Sequence, residues 1–195
     1  LFTIACIPAY LLSILWLDLP FWLYIITALA AIIQVFAWFK FLTVLLKTRR
    51  NALENFSPLL RYIFLFVGFA LSIKLLLQLG SIVPSISQLA FGFRPIVIAY
   101  LHLVLLAIIT MFLLFYIYAN HLIFINKNIK YGILLFSIGV LLNEIVLGIQ
   151  GLASLSYFTI PYVNEILYII AIFLFIGIAI ISFYSIKKAK NKPLL

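Results

Sequence analysis

The sequence predicts an all-α fold, a polytopic transmembrane helix bundle of about six spans with both termini in the cytoplasm. Of its 195 residues, 68% are hydrophobic and 9% are charged, whereas a soluble domain has about 25% charged residues. The apolar residues form long runs separated by short polar stretches, and Lys and Arg are concentrated in alternate stretches. This composition indicates lipid as the solvent, and hence a multi-pass membrane protein.

Six windows approach the length of about 20 apolar residues that a helix needs to cross the hydrocarbon core. Pro20, Pro58 and Pro95 each open a window, at a position where the missing N–H is tolerated. Pro8 lies inside the first window and predicts a kink there. The predicted spans are Leu1–Leu17, Pro20–Leu46, Pro58–Leu79, Pro95–Tyr118, Tyr131–Gln150 and Asn164–Ile186. Together they form a single transmembrane domain over residues 1–195.

The basic residues predict the orientation of the bundle. Cytoplasmic loops carry an excess of Lys and Arg, and the loops after the second and fourth predicted spans and the C-terminal tail are the basic ones. The net charge of +9 is therefore a topological signal rather than a nucleic-acid surface, and the expected partner is the lipid bilayer. The basic residues of these stretches are Lys47, Arg49, Arg50, Lys127, Lys130, Lys187, Lys188, Lys190 and Lys192.

Two segments depart from the regular pattern of apolar spans and short polar loops. The chain begins at Leu1, directly in an apolar run with no basic leader, which predicts a longer protein with residues upstream. Gly80–Arg94, on the outer side, mixes serine, proline and glycine with apolar residues. It fits either a short interfacial or re-entrant stretch or an ordinary structured loop.

Polar residues inside the spans are the candidate functional residues, because ionisable groups are costly in lipid and are rarely kept without a role. Lys74, His102 and Glu144 all lie roughly 7–11 Å below the outer ends of their spans at 1.5 Å per residue. Gln78 follows Lys74 by one turn, and Asn143 precedes Glu144. We predict that these five residues form a buried polar cluster.

The cluster has three interpretations. Lys74 and Glu144 form an ion pair that holds the bundle, with each charge offsetting the other's burial. Alternatively, the three ionisable groups serve a proton or ion pathway. In the third interpretation His102 is a metal ligand, the axial ligand of a haem iron. His121, 19 residues later on the same span, cannot reach the same iron, and the several nitrogen or sulfur ligands of a zinc or copper site are absent.

Three runs of the sequence resemble a family of longer bacterial polytopic membrane proteins. They are Ala5–Leu17, Ile73–Ser85 (IKLLLQLGSIVPS) and Phe91–Leu106 (FGFRPIVIAYLHLVLL). The layout of that family is similar to the haem–copper oxidase catalytic subunit and to the NnrS membrane proteins. The resemblance implies that this chain is the C-terminal half of such a protein, in a bacterial inner membrane, completed by an N-terminal half or by partner membrane subunits.

The resemblance also implies roles for three residues. His102 would occupy the position of a haem ligand on the tenth helix of the oxidases, while Arg94 and Lys74 would neutralise haem propionates. Two departures limit the comparison: Tyr100 stands where the oxidases have a second histidine, and the first span lacks copper-binding histidines. A complete oxygen- or nitric-oxide-reducing centre is therefore not expected, and the resemblance leaves two outcomes: a single low-spin haem b, or a haem-free relative of the fold.

The leading hypothesis is thus a haem-binding, redox-related membrane protein of oxidase-like architecture. A proton-coupled transporter or channel subunit that uses Lys74, His102 and Glu144 is the alternative from another class. The remaining alternative is a structural membrane subunit whose buried pair only holds helices together.

Overall fold

The structure is a computed structural model that describes residues 2–11, 20–48, 56–120, 122 and 126–190. Every regular element in these ranges is helical, and five helical stretches are long and apolar enough to cross a membrane. The predicted all-α, multi-pass class is confirmed. The elements are α1 (Phe2–Ala9), α2 (Phe21–Thr48), α3 (Pro58–Gly80), α4 (Pro84–Gly92), α5 (Arg94–His102), a π-helix (Leu103–Thr110), α6 (Met111–Ala119), α7 (Lys127–Leu155) and α8 (Val163–Lys190).

Prolines mark the starts of three long helices, as predicted. Pro58 is the first residue of α3, and the side chain of Ser57 caps that helix by accepting a hydrogen bond from the Leu60 amide. Pro95 lies in the first turn of α5, and Pro20 directly precedes α2. At these positions the missing N–H has no intrahelical partner to lose, so proline starts a helix without breaking it.

The first predicted span is described only in part. α1 has eight residues, a rise of about 12 Å, which is less than the roughly 30 Å of a hydrocarbon core. It ends at Ala9, one residue after Pro8, and a tight turn follows at Tyr10 and Leu11. Because residues 12–19 lie outside the described ranges, a full span over Leu1–Leu17 stays a prediction.

The fourth span is one continuous helical rod with an irregular centre. It runs from Arg94 to Ala119, close to the predicted Pro95–Tyr118, but its middle is a π-helix of eight residues. The wider turn is visible at Thr110, whose hydroxyl donates to the carbonyl of Leu105 five residues earlier at 2.8 Å. π-helical turns are rare and occur frequently at functional sites.

The segment between the third and fourth spans contains the short helix α4. It begins with Pro84, and its nine residues rise about 13 Å, too little to cross a membrane. Ile86 and Phe91 are exposed, whereas Ser87 is fully buried. The segment is thus a short helix with one face against the bundle. The end of the bundle that carries α4 and the α7–α8 connection is called the outer end here, following the orientation predicted from the basic residues.

The main core lies toward the other, inner end. There α3, the fourth span and α7 pack together, with α8 added from the side of α7. A smaller cluster near the outer end joins α1 and α2 to the end of α3 through Ala9, Ala30 and Ala31. The outer parts of α3 and α7 therefore pack on different neighbours: α3 on α1 and α2, and α7 on α5.

Glycines set the contact between α7 and α8, the most extensive helix pair of the described chain. A Cβ added at Gly139 would lie 2.9 Å from the Leu174 side chain, and one at Gly177 would lie 2.9 Å from the backbone nitrogen of Phe136. Small residues of this kind allow membrane helices to approach closely.

Large apolar side chains cover the outside of the long helices. Phe36, Phe69 and Phe175 are each about two-thirds exposed or more, at 68%, 66% and 72%. Such a surface is stable against hydrocarbon and not against water. The helices therefore contact the lipid bilayer directly.

Candidate functional site

The polar residues predicted to form one cluster lie in two separate groups. The first joins Lys74 and Gln78 of α3 to polar side chains of α1 and α2. The second set is defined by level along the bundle: His102 at the end of α5, whose bond is to Ile98 of its own helix, and the adjacent pair Asn143 and Glu144 on α7. Each group is built from neighbouring helices in the outer half of the bundle.

The first group is a chain of hydrogen bonds across three helices. Lys74 Nζ donates to Gln78 Oε1, Gln78 Nε2 donates to Gln34 Oε1 at 3.1 Å, and Gln34 Nε2 donates to Cys6 Sγ at 3.1 Å. Gln34 is 3% exposed and Gln78 is 8% exposed. All three donors point the same way, so each bond polarises the next.

The predicted ion pair between Lys74 and Glu144 is wrong. Lys74 is bonded to Gln78, and among the described residues no carboxylate forms an ion pair with it; Oε1 of Glu144 has no hydrogen-bond partner. The two residues lie at similar predicted depth, but the outer part of α3 faces α1 and α2 while the outer part of α7 faces α5. Equal depth did not make them neighbours.

Contacts on either side of Glu144 show which way it faces. The hydroxyl oxygen of Ser137 lies 3.8 Å from Sδ of Met111, and a Cβ added at Gly151 would lie 3.3 Å from Cγ1 of Ile96. Ser137, Glu144 and Gly151 are seven residues apart, about two turns, so they share one face of α7. Glu144 therefore faces the fourth span midway between these contacts, where α5 gives way to the π-helix.

Two buried polar atoms lie at this point. Among the described residues, neither Nδ2 of Asn143 nor Oε1 of Glu144 has a well-formed hydrogen bond, but the Asn143 side chain is close enough to the Glu144 carboxyl to bond it. Asn143 is 7% exposed. Leaving a buried donor or acceptor unpaired costs about 1–3 kcal/mol, so the Glu144 carboxyl and its neighbour Asn143 are the candidate functional groups on this face of α7.

His102 lies at the same level, and one of its ring nitrogens is already bonded. Nδ1 is 2.9 Å from the carbonyl oxygen of Ile98. Because a carbonyl only accepts, Nδ1 carries the hydrogen and donates, and in the neutral ring Nε2 keeps its lone pair. A histidine held in this way has the tautomer and fixed ring orientation of a metal ligand. No side chain of α5 is fully buried.

The donor set fits a haem with one axial ligand better than a bare metal ion. Among the described residues no group of three or more His, Cys, Asp or Glu side chains comes together, so a zinc-type cage is not built there. A haem iron takes as little as one imidazole from its protein. Arg94 begins the same helix, where it is exposed and about 12 Å above His102 along the axis, whereas Lys74 belongs to the other group. His121 lies outside the described residues.

Sequence reasoning found the Lys74–Gln78 pair, because residues four apart share a helix face. It missed Gln34 and Cys6, although a lone glutamine inside the apolar run of α2 was a visible signal. Comparison with known proteins adds no assignment for either group: no protein-family model, no curated protein and no solved structure matches this chain.

Proposed function

We propose that this chain binds a haem b in the outer half of the membrane, with Nε2 of His102 as the axial ligand, as part of a redox-related protein of oxidase-like architecture. The observation that supports this most is the bond from Nδ1 to the Ile98 carbonyl, which leaves Nε2 as the ligating atom. In this proposal, which follows the resemblance, the protein acts in a bacterial inner membrane together with an N-terminal half or partner subunits.

The residues around His102 have defined tasks in this proposal. A bound haem supplies one-electron redox chemistry. α5 holds His102 at the membrane depth of the site. Arg94, at the outer end of the same helix, balances the charge of a propionate. Lys74 would balance a propionate charge only for a propionate that reaches the first group, the hydrogen-bonded chain across α1, α2 and α3.

Replacing His102 with alanine is expected to abolish haem binding. The purified protein, expressed in haem-supplemented cells, should show b-type haem absorption in a reduced-minus-oxidised spectrum, and His102→Ala should lack it because the iron loses its ligand. Leu101→Ala, at a half-exposed neighbour on the same helix, is the matched control and should keep the bands. A colourless wild-type protein, or bands that persist in His102→Ala, would overturn the proposal.

A second candidate function is a proton-coupled transporter or channel subunit. It is favoured by the buried, unpartnered carboxyl oxygen of Glu144 at the level of His102, because intramembrane carboxyls of this kind occur in proton pathways. With Lys74 in a separate group, the route would use His102 and Glu144.

Proton flux tests this second function. In proteoliposomes, Glu144→Gln is expected to reduce proton-coupled flux to the protein-free background, because glutamine cannot release a proton. Glu165→Gln, which removes an exposed carboxyl at the start of α8, should leave the flux unchanged. Equal flux in wild type and Glu144→Gln would rule out this function. A protein with neither colour nor flux would support the remaining alternative, a structural membrane subunit.

A further inference from the structure

An open cleft of about 610 Å³ lies at the outer end of the bundle. This volume falls within the roughly 300–1,000 Å³ that is typical of small-molecule sites. The residues that line the cleft come from α4, from the α4–α5 junction and from the α7–α8 connection, and none of them belongs to the polar groups described above. They are Ser85, Gln88, Gly92, Phe93 and Tyr157.

Two aromatic rings form a corner of this cleft. The ring centroids of Phe93 and Tyr157 are 5.6 Å apart, and the ring planes meet at 72°. Tyr157 is 86% exposed, so its ring surface is open to a ligand. Aromatic rings attract a cation that lies within about 6 Å of their centroid, and groups of such rings recognise ammonium ligands. The corner is therefore suited to an ammonium group.

The end of α7 fixes the ring of Tyr157 in this position. The amide of Phe158 donates to the carbonyl of Ala153 at 3.0 Å, and the amide of Tyr157 donates to the carbonyl of Ser154 at 3.1 Å, which is the hydrogen-bond pattern of a Schellman motif. The left-handed residue of this motif is usually glycine, but here it is Tyr157, with a φ of 54°. A side chain in that conformation costs about 1–2 kcal/mol. The turn thus holds an aromatic ring beside Phe93 at a cost that glycine would avoid.

Ser85 and Gln88 add polar groups on the side of α4. They are three residues apart and share one face of that helix. Both side chains are exposed, and no described residue is recorded in a hydrogen bond to either of them. A hydroxyl and a side-chain amide both donate hydrogen bonds, as the oxygens of a phosphate require. Because no charged side chain is among the lining residues, the cleft favours a ligand without net charge over a lone cation or anion.

We propose that this cleft binds the head group of a zwitterionic phospholipid of the outer leaflet. The ammonium lies against the rings of Phe93 and Tyr157, and the phosphate accepts hydrogen bonds from Ser85 and Gln88. The cleft lies directly beyond the outer ends of the fourth span and α7, at the level where the hydrocarbon core gives way to the head groups. Its ligand is therefore already present in the surrounding membrane.

Saturation-transfer NMR tests the aromatic corner, with the protein in nanodiscs of phosphatidylglycerol, an anionic lipid. The probes are glycerophosphocholine and glycerophosphoethanolamine, which are zwitterionic head groups without acyl chains. In the wild type, transfer is expected from the protein to the probe protons next to the nitrogen. Tyr157→Asn should reduce it to the level of empty nanodiscs, because asparagine tolerates the left-handed backbone but lacks the ring. Tyr157→Phe keeps the ring and should keep the transfer.

Tyr162→Asn is the matched control. Tyr162 belongs to the same connection, with a φ of 59° and 75% exposure, but it is not among the residues that line the cleft, so its loss should leave the transfer unchanged. Phe93→Leu removes the other ring and should reduce the transfer as Tyr157→Asn does, which keeps the test available if Tyr157→Asn fails to fold.

Three outcomes would overturn the proposal. They are the absence of transfer to both probes, transfer that persists without the ring of Tyr157 or Phe93, and an equal loss in Tyr162→Asn. Transfer to methyl glucoside but to neither zwitterion would identify a sugar site instead. None of these measurements involves haem, so their outcome is independent of the spectrum of His102.

Discussion

Gly177→Ala is expected to destabilise the bundle by about 1–3 kcal/mol, the usual cost of forcing an extra methyl group into a filled contact. The added Cβ would lie 2.9 Å from both Cβ and the backbone nitrogen of Phe136 and 3.0 Å from its Cα. Backbone atoms cannot move aside as a side-chain tip can, so α7 and α8 must separate. The measurement is the apparent melting temperature of the purified protein in detergent.

Gly68→Ala is the matched control for this substitution. Alanine favours a helix over glycine by up to about 1 kcal/mol, and that gain applies to both variants. A Cβ at Gly68 would meet no atom within 4 Å, so Gly68→Ala is expected to be neutral or stabilising. The difference between the two variants isolates the steric term, and equal melting temperatures would show that α7 and α8 do not approach as closely as described.

The spans were predictable because lipid leaves few choices to the backbone. Every N–H and C=O in the hydrocarbon must be paired within its own segment, so an apolar run of sufficient length becomes a helix. Windows such as Pro58–Leu79 are found as α3 with nearly the same ends. At the inner side the helices extend beyond the predicted spans; α7, for example, starts at Lys127 rather than at Tyr131. The reason is that backbone hydrogen bonding continues into the interface after the apolar run ends.

The π-helix of the fourth span was not predictable. Leu103–Thr110 is apolar up to its last residue, Thr110, and contains no proline or glycine, so its residue types do not distinguish a wide turn from a regular one. Its position is set by tertiary packing, because its buried side chains Leu103 and Ala107 belong to the core shared with α3 and α7. The local sequence therefore predicts a helix here but not that its turns are π-helical.

The sequence predicted the membrane depth of the candidate residues but not which helices they would face. Counting residues placed Lys74 and Glu144 at similar depth, yet the identity of neighbouring helices depends on how whole faces fit. The glycines of α7 pair it with α8, and Gly151 meets Ile96 of α5. These close approaches decided that Glu144 faces the fourth span.

The second large effect is expected from Gln78→Leu. The amide of Gln78 accepts from Lys74 and donates to Gln34, so leucine, of similar size, leaves one ammonium donor and one amide oxygen without their partners. Gln34 is almost fully buried, and each orphaned group costs about 1–3 kcal/mol. The loss should therefore reach about 2–6 kcal/mol, measured as a fall in the melting temperature.

Gln88→Leu, at an exposed glutamine of α4, is the matched control and should change stability little. The double variant Gln34→Leu with Gln78→Leu tests the coupling between the two side chains, because it removes the orphaned amide of Gln34 along with its partner. If the hydrogen-bonded chain holds α2 against α3, the double variant should be less destabilised than the two single losses added together. Additive losses would mean that Gln34 and Gln78 are not coupled. A Gln78→Leu variant as stable as Gln88→Leu would mean that the polar chain contributes no stability and that the helices are held by their apolar contacts alone.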